Sequence, residues 1–547
     1  MFKNHPKGLI VAFFANMGER FGFYTMMAIL VLFLQAKFGL AADDAGIIYS
    51  VFYTLIYALA LLGGFLADRT QNYKGIILIG IVIMFLGYAL MATPGTGLVV
   101  TLIGLFTISL GNGLFKGNLQ ALVGQMYDAP QYAHLRDSAF SIFYMGINIG
   151  AFFAPTAANG IRNWFLSSQG YSYDADLPAL CHKVINGQPV DMVQFQELAT
   201  NSTTLQVTDL AVFAQNYIDI FAVGYNYAFG VAAVAMVISL VVYIFFKNKL
   251  PDRKKQVEKG EATIQMAPAE ERQRLIALGL VFLVVIFFWM SFHQNGLTLT
   301  YFARDYTAKT ADAFTYLFFD LRGFLPIIAA IFGMVFLVKK SSETKHRLLG
   351  AALLVGGIAL AYYFYGTYSD ANVIEPELFQ QFNPIFIVFL TPVVVWLFGW
   401  LKKRNIEPST PRKIGIGMIL AAFAFMLLLV GSFGLVSPAD LGGEATPGRV
   451  SPYWLINTYL ILTIAELFLS PMGISFVSKV SPPRFQGLMQ GGWLGATAVG
   501  NQLLFVGSFM WIRIEVWQVW AIFVVCCLIS AVFVFSIMKK LEKATGK

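Results

Sequence analysis

The sequence predicts an all-α membrane protein with about fourteen transmembrane helices. Of its 547 residues, 57% are hydrophobic and only 12% are charged, whereas about a quarter of the residues in a soluble domain are charged. Apolar segments of about 20 residues, the length that crosses a bilayer as a helix, recur along the whole chain. Lysine and arginine gather in alternate loops, as expected when each loop keeps a fixed side of the membrane.

The predicted helices are the apolar segments long enough to cross about 30 Å of hydrocarbon. The first six lie at 8–37, 45–67, 74–93, 98–126, 137–163 and 219–247. The other eight lie at 273–303, 323–340, 347–367, 378–401, 413–436, 451–479, 487–513 and 515–539.

Two polar segments divide this pattern into parts. Residues 1–247 are predicted to form an N-terminal six-helix bundle with an outside loop at 163–218. Residues 248–272 are rich in lysine, arginine and glutamate, which predicts a cytoplasmic linker. Residues 273–547 are predicted to form a C-terminal bundle that includes an extra helix pair near 323–367.

The positions of the basic residues predict the orientation, because positively charged loops stay in the cytoplasm. Counting spans places both termini on the side that holds the basic loops, so both are predicted to be cytoplasmic. The formal net charge of +8 is attributed to this bias, and no nucleic-acid partner is expected. The protein is expected to lie in the lipid bilayer of a plasma membrane, specifically a bacterial inner membrane.

A few ionisable residues lie inside the predicted helices. They are Glu19, Arg20, Lys116, His293 and Glu466. An ionised side chain at mid-membrane costs at least about 2.5 kcal/mol, so such residues pair, face a cavity or take part in transport. The adjacent Glu19 and Arg20 in the first helix therefore predict a polar pathway through the bundle.

Several short motifs in both halves narrow this prediction. Phe143–Gly150 reads FYMGINIG, Glu19-Arg20-Phe21 lies on the first helix, and Phe288–Gln294 reads FWMSFHQ. With Leu114–Asn118 and Phe476–Gly487, they follow the order found in the proton-dependent oligopeptide transporter family, which the sequence resembles. That family belongs to the major facilitator superfamily. The resemblance implies two six-helix bundles around a central cavity, with two additional helices here.

The resemblance also implies the activity, which is import of di- and tripeptides with protons by alternating access. A short peptide is a zwitterion, so Arg20 and Lys116 in the first half could hold its carboxylate. Glu466 in the second half could hold its amine. By resemblance, further pocket residues are Tyr24, Tyr57, Asn148, Trp289, Asn383, Ser470 and Trp493.

Three departures from the family pattern concern proton coupling. Asn16 replaces a glutamate of the first-helix motif, Met27 replaces an arginine, and His293 replaces the glutamate understood to pair with that arginine. Glu19 and His293 are therefore the candidate proton carriers. Histidine suits this role because its unperturbed pKa lies near 6.5, but a neutral hydrogen-bonding histidine is an equal alternative.

Other functions stay open from the sequence. The chain could be a relative that moves another small anion or zwitterion, or peptides without proton coupling. It could also be a membrane receptor that binds peptides without moving them. Neither a nucleophile–base arrangement nor a metal-ligand cluster is evident, so an enzyme, a cofactor or a metal is not expected. The oligomeric state is not specified, and a monomer is compatible with the sequence.

Overall fold

The computed structural model describes residues 2, 4–128, 130–251, 267–338, 344–441, 446, 448–482 and 485–544. These residues form an all-α membrane protein, as the sequence predicts, with one two-residue β-hairpin. Thirteen of the described helical segments are long and apolar enough to cross a membrane. The chain is therefore an integral membrane protein.

The first half is built from six long helices. They are α1 (Gly8–Phe38), α2 (Ala42–Thr70), α3 (Tyr73–Met91), α4 (Leu98–Gln125), α6 (Arg136–Ser168) and α9 (Leu210–Phe246), with the short helices α5 (Pro130–Ala133), α7 (Leu177–Ile185) and α8 (Met192–Asn201) between them. The helix α1 packs against α6 and α9, and α4 packs against α2 and α3. These contacts make one bundle.

The second half contains α10 (Pro268–Phe292), α15 (Phe382–Lys403), α16 (Thr410–Gly431), α18 (Tyr453–Val480), α19 (Gln486–Gln502) and α21 (Val516–Ser536). Shorter helices are α11 (Thr298–Asp305), α12 (Ala313–Tyr316), α17 (Pro438–Leu441), α20 (Phe505–Trp511) and α22 (Met538–Ala544). The hairpin pairs β1 (Thr310–Ala311) with β2 (Asn372–Val373), antiparallel. The halves meet where α2 contacts α19 and α20, and where α6 contacts α15.

The extra helix pair consists of α13 (Leu321–Val338) and α14 (Thr344–Tyr365), close to the predicted 323–367. The two helices pack mainly against each other. Gly333 and Gly350 allow their backbones to approach closely, as small residues do between membrane helices. Most side chains of α14 are exposed, so this pair lies at the periphery.

Two predicted helices are interrupted. Within the segment predicted at 273–303, the α-helix ends at Phe292. A 3₁₀ turn follows at His293–Gly296, and the chain then continues as α11. Gly296 lies against the Tyr49 hydroxyl, where a Cβ would not fit, so the break follows close packing between the halves. The segment predicted at 487–513 is divided into α19 and α20, and it is the one predicted span absent from the thirteen.

The polar segments also differ in length from the prediction. The helix α9 begins at Leu210 because the Asp209 side chain caps it, accepting hydrogen bonds from the backbone nitrogens of Ala211 and Val212. The segment between α6 and α9, predicted at 163–218, is therefore 169–209. In the linker predicted at 248–272, residues 252–266 lie outside the described residues, and α10 already begins at Pro268.

A pair of adjacent glycines in α2 gives a test of the packing of the first half. A Cβ at Gly63 would overlap the carbonyl oxygen of Gly113 on α4, whereas a Cβ at Gly64 would meet nothing within 4 Å. We expect Gly63→Ala to lower the free energy of unfolding by about 1–3 kcal/mol, because overpacking forces the helices apart. Gly64→Ala, the matched control, should leave the thermal melting of the purified protein unchanged. Equal melting temperatures for the two variants would contradict the α2–α4 packing.

Candidate functional site

A cavity of about 620 Å³ lies between the two halves. Helices α1, α2, α4 and α6 line it from the first half, and α10, α15, α18 and α19 line it from the second. Asp68 and Tyr73 also line it, at the end of the bundle where α1 begins, which we call the Gly8 end. The cavity therefore extends from the middle of the bundle toward the Gly8 end.

The opposite end, where α1 finishes, is called the Phe38 end. Side-chain contacts between the halves close it. Lys309 Nζ lies 2.5 Å from Asp176 Oδ2, and Arg449 also contacts Asp176. Arg513 pairs with Asp43 at 2.8 Å.

Eleven of the twelve residues proposed from the sequence line this one cavity. They come from eight helices and the 3₁₀ turn, and they are Arg20, Tyr24, Tyr57, Lys116, Asn148, Trp289, His293, Asn383, Glu466, Ser470 and Trp493. The twelfth, Glu19, is fully buried behind Arg20 and does not line the cavity.

Arg20 is held in place by its neighbour. Its Nε and Nη2 donate to the two Glu19 carboxylate oxygens, each at 2.6 Å. Asn112 on α4 donates a further hydrogen bond to Glu19 at 2.5 Å. The bidentate pair fixes the guanidinium plane at the cavity wall. Among the described residues, no side chain accepts a hydrogen bond from Arg20 Nη1, so that group can donate to a ligand.

Lys116 brings a second positive charge to the same half. Its Nζ lies 4.1 Å from the centre of the Tyr57 ring, a cation–π arrangement. No carboxylate of the described residues forms a salt bridge with it. Asn16, which replaces a glutamate of the first-helix motif, does not act as a partner for Lys116, because its amide donates to the Phe143 carbonyl at 3.4 Å.

Glu466 faces the cavity from α18 in the second half. Asn383 donates to its Oε2 at 3.1 Å, and the Tyr144 hydroxyl donates to its Oε1 at 3.4 Å. The Asn383 amide is itself held by a hydrogen bond to Thr463 Oγ1. Within the described part of the chain, Glu466 has no basic partner, so its charge is available to a cationic group.

Tyr144 was not among the site residues proposed from the sequence. It lies in the FYMGINIG motif, four residues before Asn148, which places both on one face of α6. That spacing was the available signal. Through its hydroxyl, Tyr144 brings the first half into direct contact with Glu466.

His293 lies where α10 ends. Its ring is stacked on Trp289, with centroids 4.6 Å apart, and faces Tyr53 of the first half at 4.5 Å. Its Nδ1 lies 2.6 Å from Asn501 Oδ1 on α19. Met27 also lines the cavity. Since an amide oxygen only accepts, Nδ1 carries the proton and Nε2 is the nitrogen left to titrate or to bind.

The charges are separated between the halves. With Glu19 ionised, the first half carries one net positive charge from Arg20 and Lys116, and Glu466 carries one negative charge in the second. The arrangement can bind a small molecule with an anionic group at one end and a cationic group at the other. Among the described residues, no group of three or more His, Cys, Asp or Glu side chains could hold a metal ion.

Comparison with known proteins gives consistent matches over most of the chain. A family model described as the POT family matches residues 74–259 and 366–511. The peptide transporter YePEPT of Yersinia enterocolitica subsp. palearctica serotype O:3 (strain YE-P4) is 28% identical over 527 residues, covering 91% of this chain and 87% of that protein. Dipeptide and tripeptide permease A of Cronobacter turicensis is 27% identical over 507 residues, covering 90% and 82%.

A similar fold is found among solved structures. The crystal structure of a peptide transporter, POT, in complex with sulfate has a TM-score of 0.67 and 23% sequence identity. The match covers 100% of this chain and 96% of that one. This likeness establishes the fold, with two helical bundles around a central cavity.

Proposed function

Because this chain belongs to the POT family, we propose that it is a secondary active transporter that imports di- and tripeptides with protons by alternating access. The observation that carries the proposal is the separation of charge across the cavity. Lys116 and the free edge of Arg20 lie on one half, and Glu466 lies on the other with no basic partner among the described residues. Both curated relatives described above are named for peptide transport.

In the proposed complex, the peptide carboxylate lies between Arg20 and Lys116. The peptide amine binds at the Glu466 carboxylate, which is already oriented by hydrogen bonds from Asn383 and Tyr144. A peptide bound in this way contacts both halves. Its binding therefore favours the state in which the halves close around it at the Gly8 end.

The remaining lining residues suit peptides of varied sequence. Tyr24, Tyr57, Trp289 and Trp493 offer aromatic surface to side chains. Asn148 and Ser470 offer groups that can bond to the peptide backbone. With a volume of about 620 Å³, the cavity is of the size usual for small-molecule sites.

Proton coupling is proposed to use Glu19 and His293. Glu19 can take a proton only when Arg20 turns toward a bound carboxylate, which links its protonation to the substrate. His293 lies at the closed end of the cavity with Nε2 available. We further propose that the Gly8 end is cytoplasmic and that the membrane is a bacterial inner membrane.

The proposed recognition can be tested by competition during exchange. Proteoliposomes loaded with unlabelled dialanine take up labelled dialanine, and competitors are added outside. We expect dialanine and trialanine to compete, because both have a free amine and a free carboxylate. N-acetyl-dialanine and dialanine amide should each compete at least tenfold less well. Equal competition by the blocked peptides would contradict the two-ended site.

His293→Gln tests the second proposed proton carrier. Glutamine can keep a hydrogen bond to Asn501 but cannot titrate, so we expect the pH dependence of peptide-driven proton uptake to flatten between about pH 5 and 8. His134→Gln, at an exposed histidine, is the matched control. A His293→Gln profile that parallels the wild type would leave His293 as a structural residue.

A further inference from the structure

A second group of buried charges lies at the Phe38 end, outside the peptide cavity. Arg162 on α6 contacts two glutamates of the segment that precedes α15. Its Nη2 donates to Glu375 Oε2 at 2.9 Å, and its Nη1 donates to Glu377 Oε1 at 2.6 Å. The Arg162 and Glu377 side chains are 0% exposed, and the Glu375 side chain is 10% exposed. We call these three residues the Arg162 cluster.

The charges of the Arg162 cluster do not balance. With both glutamates ionised, one guanidinium faces two carboxylates, which leaves one net negative charge. Burying an uncompensated charge costs so much that a protein group usually takes or loses a proton instead. Two carboxylates that share one site cannot readily both ionise. One proton on the pair would make the cluster neutral.

An unsatisfied polar atom lies in the same place. Glu377 Oε2 is buried and has no hydrogen-bond partner. Asn159, one turn before Arg162 on α6, lies beside Glu375 and is 3% exposed. Its side chain interacts with the Glu375 carboxylate. Buried polar groups are normally satisfied, so the unpartnered Glu377 Oε2 is the atom at which a proton would supply a missing hydrogen-bond donor.

Among the described residues, the groups around the cluster supply no second positive charge. Asn163 donates to Glu375 Oε1 and accepts from Arg162 Nε. The titratable neighbours are tyrosines: Tyr173, whose ring lies 4.1 Å from the guanidinium; Tyr225 on α9, whose hydroxyl accepts from Arg162; and Tyr316, near Glu375. A neutral tyrosine cannot compensate the second carboxylate.

We propose that Glu375 and Glu377 form a proton-binding site that takes up one proton when the Phe38 end closes. The site forms only in the closed state, because Arg162 and Asn159 belong to the first half and the glutamates to the second. This proposal rests on the proposed function. The proton site would lie at the Phe38 end, which must open and close during transport. It would supplement the first-helix motif, in which Asn16 cannot titrate.

The direction of the pH effect follows from burial. Burial raises the pKa of the Glu375 carboxyl; Arg162 opposes this rise and Glu377 reinforces it. A carboxyl whose pKa is raised on closing stabilises the closed state at low pH. That stabilisation is lost as the pH rises through the raised value. Low external pH should therefore favour closure of the Phe38 end.

The test measures closure without any peptide, so it does not depend on the proposed function. Spin labels at Ser168→Cys and Ser369→Cys, both exposed near the Phe38 end, report the distance between the halves by electron paramagnetic resonance. Cys181, Cys526 and Cys527 are first replaced by alanine. As the pH falls from 8 to 5, the ratio of closed to open wild-type protein should rise, by up to tenfold per pH unit for one proton.

Glu375→Gln and Glu377→Gln each imitate the protonated pair, so the closed fraction of both should stay, from pH 8 to pH 5, at the value that the wild type reaches at pH 5. Asp176→Asn, which weakens a different ion pair at the same end, should keep the pH response. A wild-type pH response in either glutamine variant, or no response in the wild type, would overturn the proposal. A change in closure with Na⁺ at constant pH would also overturn it, because the ligand would then be a metal cation.

A transport measurement separates this proposal from the proposed function. In proteoliposomes held at pH 5 on both sides, where the wild-type pair already carries its proton, both glutamine variants should exchange dialanine within twofold of the wild type. Their accumulation of dialanine driven by a pH gradient should fall at least tenfold. Wild-type accumulation in either variant would overturn the proton site while leaving peptide transport intact. If the wild type exchanged no peptide but still closed at low pH, only the proposed peptide transport would be contradicted, and the proton site would stand.

Discussion

Replacing Glu466 by glutamine is expected to lower the uptake of free dipeptides by about 10- to 150-fold. Glutamine has nearly the same shape and can still bond to Asn383, but it cannot pair with the peptide amine. A hydrogen bond to a charged group contributes about 1.5–3 kcal/mol, which corresponds to that range. The measurement is the initial rate of labelled dialanine uptake into proteoliposomes at subsaturating concentration.

The control for this variant is a change in the peptide. N-acetyl-dialanine has no charged amine, so the wild type and Glu466→Gln should transport it equally poorly. Equal rates for the two proteins with free dialanine would show that Glu466 does not bind the amine. The result would favour a relative that transports another small anion.

Replacing Arg20 by methionine is expected to have the largest effect on stability. The change removes the bidentate partner of Glu19, which is 0% exposed. Breaking a buried ion pair on one side costs about 3–5 kcal/mol, because the other charge is left uncompensated. We expect a much lower melting temperature in detergent and no measurable peptide uptake.

A double replacement separates the two roles of Arg20. In Glu19→Gln/Arg20→Met no charge is left at these two positions, and glutamine can still accept the hydrogen bond from Asn112. We therefore expect the melting temperature to return near that of the wild type, while uptake stays absent because the carboxylate anchor is missing. Recovery of uptake in the double variant would contradict the assignment of Arg20 to the peptide carboxylate.

The sequence predicted the helices well because the bilayer constrains them directly. Each span must be long and apolar, so its position can be recognised from the residues of that span alone. The interruption after Phe292 could not be predicted in this way. It depends on the contact of Gly296 with Tyr49, a residue of the other half.

The residues of the cavity were predictable for a related reason. Placing the charged side chains of Arg20, Lys116 and Glu466 inside a membrane costs free energy, so their presence in predicted helices indicates a polar site. The partners that orient them were not predictable. Asn112, which holds Glu19, is an ordinary polar residue within a helix, and only the packing of α4 against α1 brings the two together.

The Arg162 cluster was missed because its members lie at the ends of spans. At a helix end, a charged residue is usually solvated and gives no signal. Arg162 falls at the end of the helix predicted at 137–163, and Glu375 and Glu377 fall just before the helix predicted at 378–401. Their burial results from the contact between α6 and the segment before α15, which lies more than 200 residues away in sequence.

The most direct test of the central claim is the accumulation of labelled dialanine in proteoliposomes under an inward proton gradient. The peptide should accumulate with time above its external concentration, and a protonophore should abolish that excess while leaving exchange intact. Saturable binding without accumulation would contradict the account and indicate a receptor. Uptake that equilibrates but never exceeds the external concentration would contradict proton coupling.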